Sequence, residues 1–429
     1  MNSHEGAKMP GPESRAEAMT GPPKPVLPVS SGGMPSETYQ TETVSRLLRE
    51  AAYFPLFSVH NPNIENVPLP SSRSPNRLIG MKVYEEMHRF DIKVEPPNLD
   101  CGLRAVNQLG QPVADIHIDW RVIPDDFVAA PGKLPPPTEL DLTRSQRFAM
   151  YDGQFNWKDR QGSSFHGFGS GRTFPTIVGG QPQLRIAAVV DIIEGFGKLN
   201  GVVGNAVVNG FITPPYNLAL NIMLRILDPA KRFKTRSAIT NLRPIPDPDP
   251  NASFLAFLGE ADPDNPITLN IAPDGSVAGA SVHELLRILR IDFDVGTSKG
   301  MRSQASTGSI VGSLSFNLNI NSRDQRIPIP FRTTDAIFTF FDRERRTIGR
   351  LAANVVEGRA FMTELEGAPQ PVLRVAGFGP CIGGSAQFSG VSGMLSLNGI
   401  ISIPARTPSI CYVLRISDPE GKFRKAWHE

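Results

Sequence analysis

Along most of the chain, apolar residues come in short runs bounded by Gly, Asn and Asp, and within the runs they alternate with polar residues. Phe316-Asn-Leu-Asn-Ile320 keeps period two, Ala336-Ile-Phe-Thr-Phe-Phe341 runs into the polar stretch Asp342-Arg-Glu-Arg-Arg346, and Tyr412-Val-Leu-Arg-Ile416 has the same character. This pattern predicts antiparallel strands joined by hairpins. Val282-His-Glu-Leu-Leu-Arg-Ile-Leu289 also fits helical spacing, so it reads either as a helix entering the strand at 291–295 or as one long strand. Residues 42–57 place Val44, Leu47, Leu48, Ala51 and Ala52 at helical spacing, which predicts a short amphipathic helix ahead of the first domain. Its Glu42, Arg46, Arg49 and Glu50 mix signs, so it is expected to pack on protein rather than on a membrane.

The pattern is written twice. Leu184-Arg185-Ile-Ala, Gly201-Val-Val-Gly204, Asn209-Gly210 and Pro215 recur as Leu373-Arg374-Val-Ala, Gly390-Val-Ser-Gly393, Asn398-Gly399 and Pro404, all at an offset of 189. After a one-residue slip, Arg225-Ile-Leu-Asp228-Pro229 is answered by Arg415-Ile-Ser-Asp418-Pro419. Further upstream, Asp152, Phe155 and Asp159 match Asp335, Phe338 and Asp342, and Gly171-Arg172-Thr-Phe174 matches Gly358-Arg359-Ala-Phe361. Gly80-Met-Lys-Val-Tyr84-Glu85 resembles Gly279-Ala-Ser-Val-His283-Glu284. Each unit has the size of an ordinary domain, so the chain is a tandem duplication of two homologous domains.

This gives a domain plan. Residues 1–37, rich in Pro, Gly and Ser, are expected to be a disordered tail. Residues 38–79 form an extension carrying the helix, 80–236 the first repeat, 237–278 a Pro-rich linker and lead-in around Pro244-Ile-Pro246-Asp-Pro248-Asp-Pro250, and 279–429 the second repeat. The passage Pro131-Gly-Lys-Leu-Pro135-Pro-Pro137 reads as a surface loop. With 40 Pro and 39 Gly in 429 residues, long helices are disfavoured. The turn spacing predicts about seven or eight strands per unit, and glycines at Gly195, Gly197, Gly201 and Gly204 favour a closed barrel over a sandwich. The fold class is therefore all-β, two tandem antiparallel β-barrels.

The glycine pattern Gly195-Phe-Gly197-Lys-Leu199-Asn-Gly201-Val-Val-Gly204, with its counterpart from Gly384 to Gly393, resembles the turn-and-strand segment of allene-oxide-cyclase-like and dirigent-like barrels. The resemblance implies eight-stranded barrels whose interior holds a hydrophobic small molecule and guides its cyclisation or coupling. It covers about 50 residues of each unit and supplies no catalytic residue to match one for one.

Charge narrows the partners. Lys and Arg number 44 against 42 Asp and Glu, well interspersed, so neither nucleic acid nor an anionic membrane is indicated. Three cysteines, Cys101, Cys381 and Cys411, contain no C-x-x-C, and no leader-like apolar run opens the chain, which suits a cytoplasmic protein. His166-Gly-Phe-Gly-Ser-Gly171 and Gly195-Phe-Gly197-Lys198 are not phosphate loops, no hydrolase, zincin or calcium-loop signature is present, and neither metal nor cofactor is implied.

Strand parity places Ile186, Ala188, Val190, Ile192 and Glu194 on one face. A carboxylate ending an apolar face would be desolvated and could move a proton near neutral pH, which makes Glu194 the leading catalytic candidate. The opposing reading is that the strand has reached the barrel mouth and Glu194 is solvated. The second repeat has Gly383 and Cys381 where the first has Glu194 and Ile192, which suggests divided labour. Glu85 and His166 are possible catalytic assistants, and Val190, Ile192, Tyr84, His283 and Cys381 are candidate substrate contacts. The expected function is a cofactor-independent cyclase or isomerase of specialised metabolism, acting on a hydrophobic substrate in a barrel lumen. The rival is a non-catalytic hydrophobic-ligand carrier or structural tandem-barrel protein. In either case the repeats are expected to form an internal pseudo-dimer, alone or within a homo-oligomer.

Overall fold

The structure is a computed structural model and describes residues 51–93, 104–109, 112–158, 162–178, 181–213, 217–227, 243–244, 252–275, 277–293, 303–320, 329–342, 344–363, 372–386, 388–402 and 407–417. The first repeat contributes β1 (Ala51–His60), β2 (Val67–Pro70), β3 (Leu78–Lys93), β4 (Arg104–Leu109), β5 (Ala114–Ile123), β6 (Gln146–Trp157), β7 (Ser164–Val178), β8 (Gln181–Phe196), β9 (Val203–Thr213), β10 (Asn217–Leu227) and β11 (Arg243–Pro244). The second contributes β12 (Ala252–Ala261), β13 (Thr268–Ile271), β14 (Val277–Phe293), β15 (Ser303–Ile320), β16 (Ile329–Phe341), β17 (Thr347–Thr363), β18 (Val372–Ala386), β19 (Ser392–Ser402) and β20 (Thr407–Ser417).

Each repeat closes into an eight-stranded antiparallel barrel. Around the first the order is β1-β10-β9-β8-β7-β6-β5-β3, and β3 pairs back onto β1. Around the second it is β12-β20-β19-β18-β17-β16-β15-β14, closed by β12 against β14. The strand orders correspond one to one, so the duplication seen in the motifs is a duplication of the whole barrel. Closure removes the unpaired edges that an open sheet of this length would expose.

Each barrel takes its first strand from ahead of the expected repeat boundary. β1 occupies residues read as part of a helix: Leu56 pairs with Ile222 on one side and Arg89 on the other, and its side chain is fully buried. Pairing on both edges of β1 outweighs a short helical periodicity, because without it β3 and β10 would each keep an open edge. The rest of the predicted helix, residues 42–50, and the predicted tail lie outside the described residues. In the second repeat, β12 and β13 come from the stretch read as linker and lead-in. The ambiguous 282–289 segment lies within the continuous strand β14.

The shared motifs now have places. Asp152 and Asp335 both adopt positive φ, 51° and 56°, where β6 and β16 skip a residue in their pairing. Asp tolerates this conformation better than most residues, and such a bulge bends the strand as barrel curvature requires. Phe155 and Phe338 follow at the same spacing and pack in the two cores. Gly204 and Gly393 lie where a Cβ would run into the backbone carbonyls of Arg225 and Arg415 on the neighbouring strand.

Candidate functional site

Two carboxyl groups lie inside the barrels. Glu85 shares strand parity with the core residues Met81, Val83 and Met87 and is 1% exposed; its counterpart Glu284 shares parity with Val282 and Leu286 and is 0% exposed. The second-barrel carboxyl is closed in: Tyr412 Oη donates to Glu284 Oε2 at 2.7 Å, and Gly259 leaves the room both side chains occupy. A Cβ at Gly259 would collide with the carboxylate and the Tyr412 ring. Burial pushes the Glu284 carboxyl up to about 8, opposed by the Tyr412 hydrogen bond.

The first barrel differs at both supporting positions, with Ser58 in place of Gly259 and Ile222 in place of Tyr412. Ser58 Oγ accepts the Leu220 N–H at 3.0 Å. Glu85 Oε1 accepts from Asn66 Nδ2 at 2.9 Å, while buried Oε2 has no hydrogen-bond partner. Burial raises this carboxyl to about 7, and the Asn66 bond opposes the shift. Ile116, the pairing neighbour of Glu85, lines a cavity of about 40 Å³ together with Met150, Phe155, Val190, Ile222 and Leu224. A second gap of about 10 Å³ lies between Val83, Trp120, Phe148 and Ile186. The larger is room for one or a few waters, whereas pockets for drug-sized ligands measure roughly 300–1,000 Å³. Aromatic side chains fill the second lumen: Phe338, Phe340, Phe388 and Tyr412 are all essentially fully buried.

The expected position of Glu194 is corrected. β7 and β8 pair His166 with Glu194 and Gly167 with Ile192, so Ile193 is an extra residue in β8. One extra residue reverses strand parity. Ile192 stays inside, Gly195 turns inward opposite core residue Phe165, and Glu194 is exposed. His166 lies on the same outer side and packs edge-on against Phe196 at 5.3 Å. The second repeat has the same bulge at Ile382, which leaves Ile382 exposed, Gly383 half-buried and Cys381 buried. Burial pushes the Cys381 thiol up to about 12, so it stays protonated and unreactive.

Val190 and Ile192 do lie on the lumen side. Tyr84 and His283 alternate with Glu85 and Glu284 and therefore face out, Tyr84 stacking on His117 at 4.5 Å. Of the three catalytic candidates only Glu85 is in a lumen, and the structure does not bring it together with Glu194 or His166. Among the described residues, no three His, Cys, Asp or Glu side chains gather as a metal-binding group, and no helix is long and apolar enough to cross a membrane.

The residues that the two repeats share on the outward face converge elsewhere, where the barrels touch. Asn209 Nδ2 donates to the Met394 carbonyl at 3.1 Å and Asn398 Nδ2 to the Asn205 carbonyl at 3.1 Å. The offset of 189 that relates Asn209 to Asn398 also relates Asn205 to Met394, so the two bonds are reciprocal. Arg172 Nη2 reaches Glu357 Oε1 at 3.1 Å, and its counterpart Arg359 reaches Ser170 Oγ at 2.8 Å. Arg374 Nη1 donates to Asn205 Oδ1 at 2.6 Å and to Asp191 Oδ1 at 3.3 Å, and Arg415 Nη1 to Asn221 Oδ1 at 3.1 Å. Apolar residues of the first barrel's outer face, Phe57, Ala187, Val189, Val207 and Met223, belong to the same buried cluster as the second barrel's core. Sequence reasoning missed this face, yet it had a signal. Arginine recurs in both repeats at 172/359, 185/374 and 225/415, each time at an outward position in an apolar strand.

Comparison with protein-family models, with curated proteins and with solved structures finds no match to this chain.

Proposed function

We propose that the chain is a non-catalytic structural protein, a tandem-barrel unit in which the repeats act as an internal pseudo-dimer. One observation carries this reading. Polar side chains that the two repeats hold in common on their outer faces, Asn209 with Asn398 and Arg172 with Arg359 among them, reach across the contact between the barrels, while the gaps described in the first lumen measure about 40 and 10 Å³. A gap of about 40 Å³ leaves no room for a polyene or polyketide, and Glu194 and His166 lie outside it. The test is to purify the full chain from its source and weigh it intact, then denatured, by mass spectrometry. The polypeptide mass alone supports the structural reading. A stoichiometric small molecule overturns it.

A second reading has its own observation in favour: Glu85 keeps one buried carboxyl oxygen without a hydrogen-bond partner, and its pairing neighbour Ile116 lines the gap in the first barrel. On that reading the first lumen binds a compact hydrophobic molecule bearing one polar group, and Glu85 is the acid of a cyclase or isomerase. The double variant Ser58→Gly with Ile222→Tyr copies the second barrel's arrangement and plugs the gap. Loss of a bound ligand or of turnover in that variant supports the second reading, and a higher melting temperature with nothing else changed supports the first.

A further inference from the structure

Between β5 and β6 the first barrel carries a proline-rich surface segment, residues 124–145, whose middle reads Lys133-Leu-Pro135-Pro-Pro137-Thr-Glu139. Each proline fixes its own φ at about −65°, and each residue ahead of a proline is driven to an extended ψ. Leu134 through Pro137 are therefore confined to the polyproline II helix. In the structure, residues 134–140 run without turn, bend or strand. That helix has three residues per turn, and burial follows the same period: Leu134 is exposed, Pro135 half-buried, Pro136 and Pro137 exposed, Thr138 half-buried. One edge is turned to the protein and the rest to solvent.

Both ends of this stretch are pinned. Ahead of it, Lys133 donates its N–H to the Ala130 carbonyl at 3.1 Å, and its ammonium lies 5.1 Å from the Phe127 ring centre. Behind it, the Glu139 carboxylate accepts from Ser71 Oγ at 2.8 Å, the Glu139 carbonyl accepts from Gln146 Nε2 at 3.0 Å, and the Leu140 N–H reaches the Leu78 carbonyl at 2.6 Å. Between the pins, Leu134, 58% exposed, and Pro137 stand one turn apart on the same edge. We propose that Leu134 to Pro137 is a docking segment for a protein domain with an aromatic-lined groove of the kind that binds polyproline II ligands. Such grooves take a ridge that is already formed and loses little freedom on binding, and pinning both ends lowers that cost further. The apolar Leu134 side chain gains by leaving water for the groove. The second repeat makes the corresponding connection with residues 321–328, which hold a single proline, so the segment has no counterpart there. This goes beyond the structural reading by giving the tandem barrel a partner, and it does not depend on how the barrels pair.

The test takes the full chain and purified SH3, WW and EVH1 domains as probes, and compares the wild type with Leu134→Ser plus Pro137→Ala. At least one probe should bind the wild type. The variant should bind that probe at least about tenfold more weakly with its melting temperature unchanged, because both side chains are exposed. Replacing the aromatic residue at the centre of the probe's groove with Ala should abolish its binding to the wild-type chain. No binding by any of the three kinds of probe, binding that the variant keeps, or binding that survives loss of the groove aromatic overturns the proposal. A variant that melts lower while binding as before marks 134–137 as a brace for the connection between β5 and β6, and overturns it as well.

Discussion

Replacing Glu284 with Gln should change the pH dependence of stability by an amount that follows from the second lumen. The carboxyl ionises near 4.5 in the unfolded chain and at about 8 in the folded one, where it is enclosed with Tyr412. The folded value is raised, so the stability this group contributes is fully present below pH 4.5, falls as pH rises from 4.5 to 8 and is flat above. Each pKa unit is worth 1.36 kcal/mol, so the fall amounts to about 5 kcal/mol. Gln is neutral throughout, and its side-chain oxygen can still accept the Tyr412 hydroxyl. Urea unfolding of wild type and Glu284→Gln at pH 5 and pH 9 reads the difference. At pH 5 the variant should be level with wild type or less stable, since an amide replaces a neutral acid. Between pH 5 and pH 9 the balance should move about 4 kcal/mol in the variant's favour, since part of the fall is already complete at pH 5. A difference between the two proteins that does not change with pH would refute the reasoning.

Other outcomes follow from the same geometry. Gly204→Val should destabilise by more than about 2 kcal/mol, seen as a lowered melting temperature, because its side chain would meet the Arg225 carbonyl. Gly259→Ala should cost a similar amount by forcing Glu284 and Tyr412 apart, and combining it with Tyr412→Phe should not relieve it, since the carboxylate clash remains. Glu194→Gln should leave stability within about 0.5 kcal/mol of wild type, as expected of an exposed side chain. In a Cys101→Ser background, Cys381 and Cys411 should resist a thiol reagent at pH 8 until the protein is unfolded, because burial pushes both thiols up to about 12.

What the sequence made legible and what it hid divide along physical lines. Alternation and turn spacing depend on neighbouring residues, so the strands and the duplicated barrel could be read directly. β1 could not, because its reason for being a strand is its pairing with β3 and β10, one of them over 150 residues away. Parity works only as far as the strand is regular. It placed Val190 and Ile192 correctly on the lumen side and failed two residues later at Glu194, because nothing local in Asp191-Ile-Ile-Glu194 announces the bulge at Ile193. Glu85 was visible only as half of a Tyr-Glu pair matched by His-Glu. Its burial and the difference between Ile222 and Tyr412 required three strands to be brought together. The contact face was within reach, since arginines repeated in apolar strands have few roles other than an interface, but which strands of the two barrels meet depends on tertiary packing that no local pattern carries.

The account's central claim is that the polar residues shared on the outer faces bind the two barrels into one cooperative unit. Calorimetric unfolding of the full chain against Asn209→Ala with Asn398→Ala and Arg374→Met tests it most directly, because these substitutions remove the reciprocal amide bonds and one buried guanidinium without touching a lumen. The wild type should unfold in a single transition, and the variant should split into two or melt earlier. Two independent transitions in the wild type, or a variant that melts as a single unit at the wild-type temperature, would contradict it.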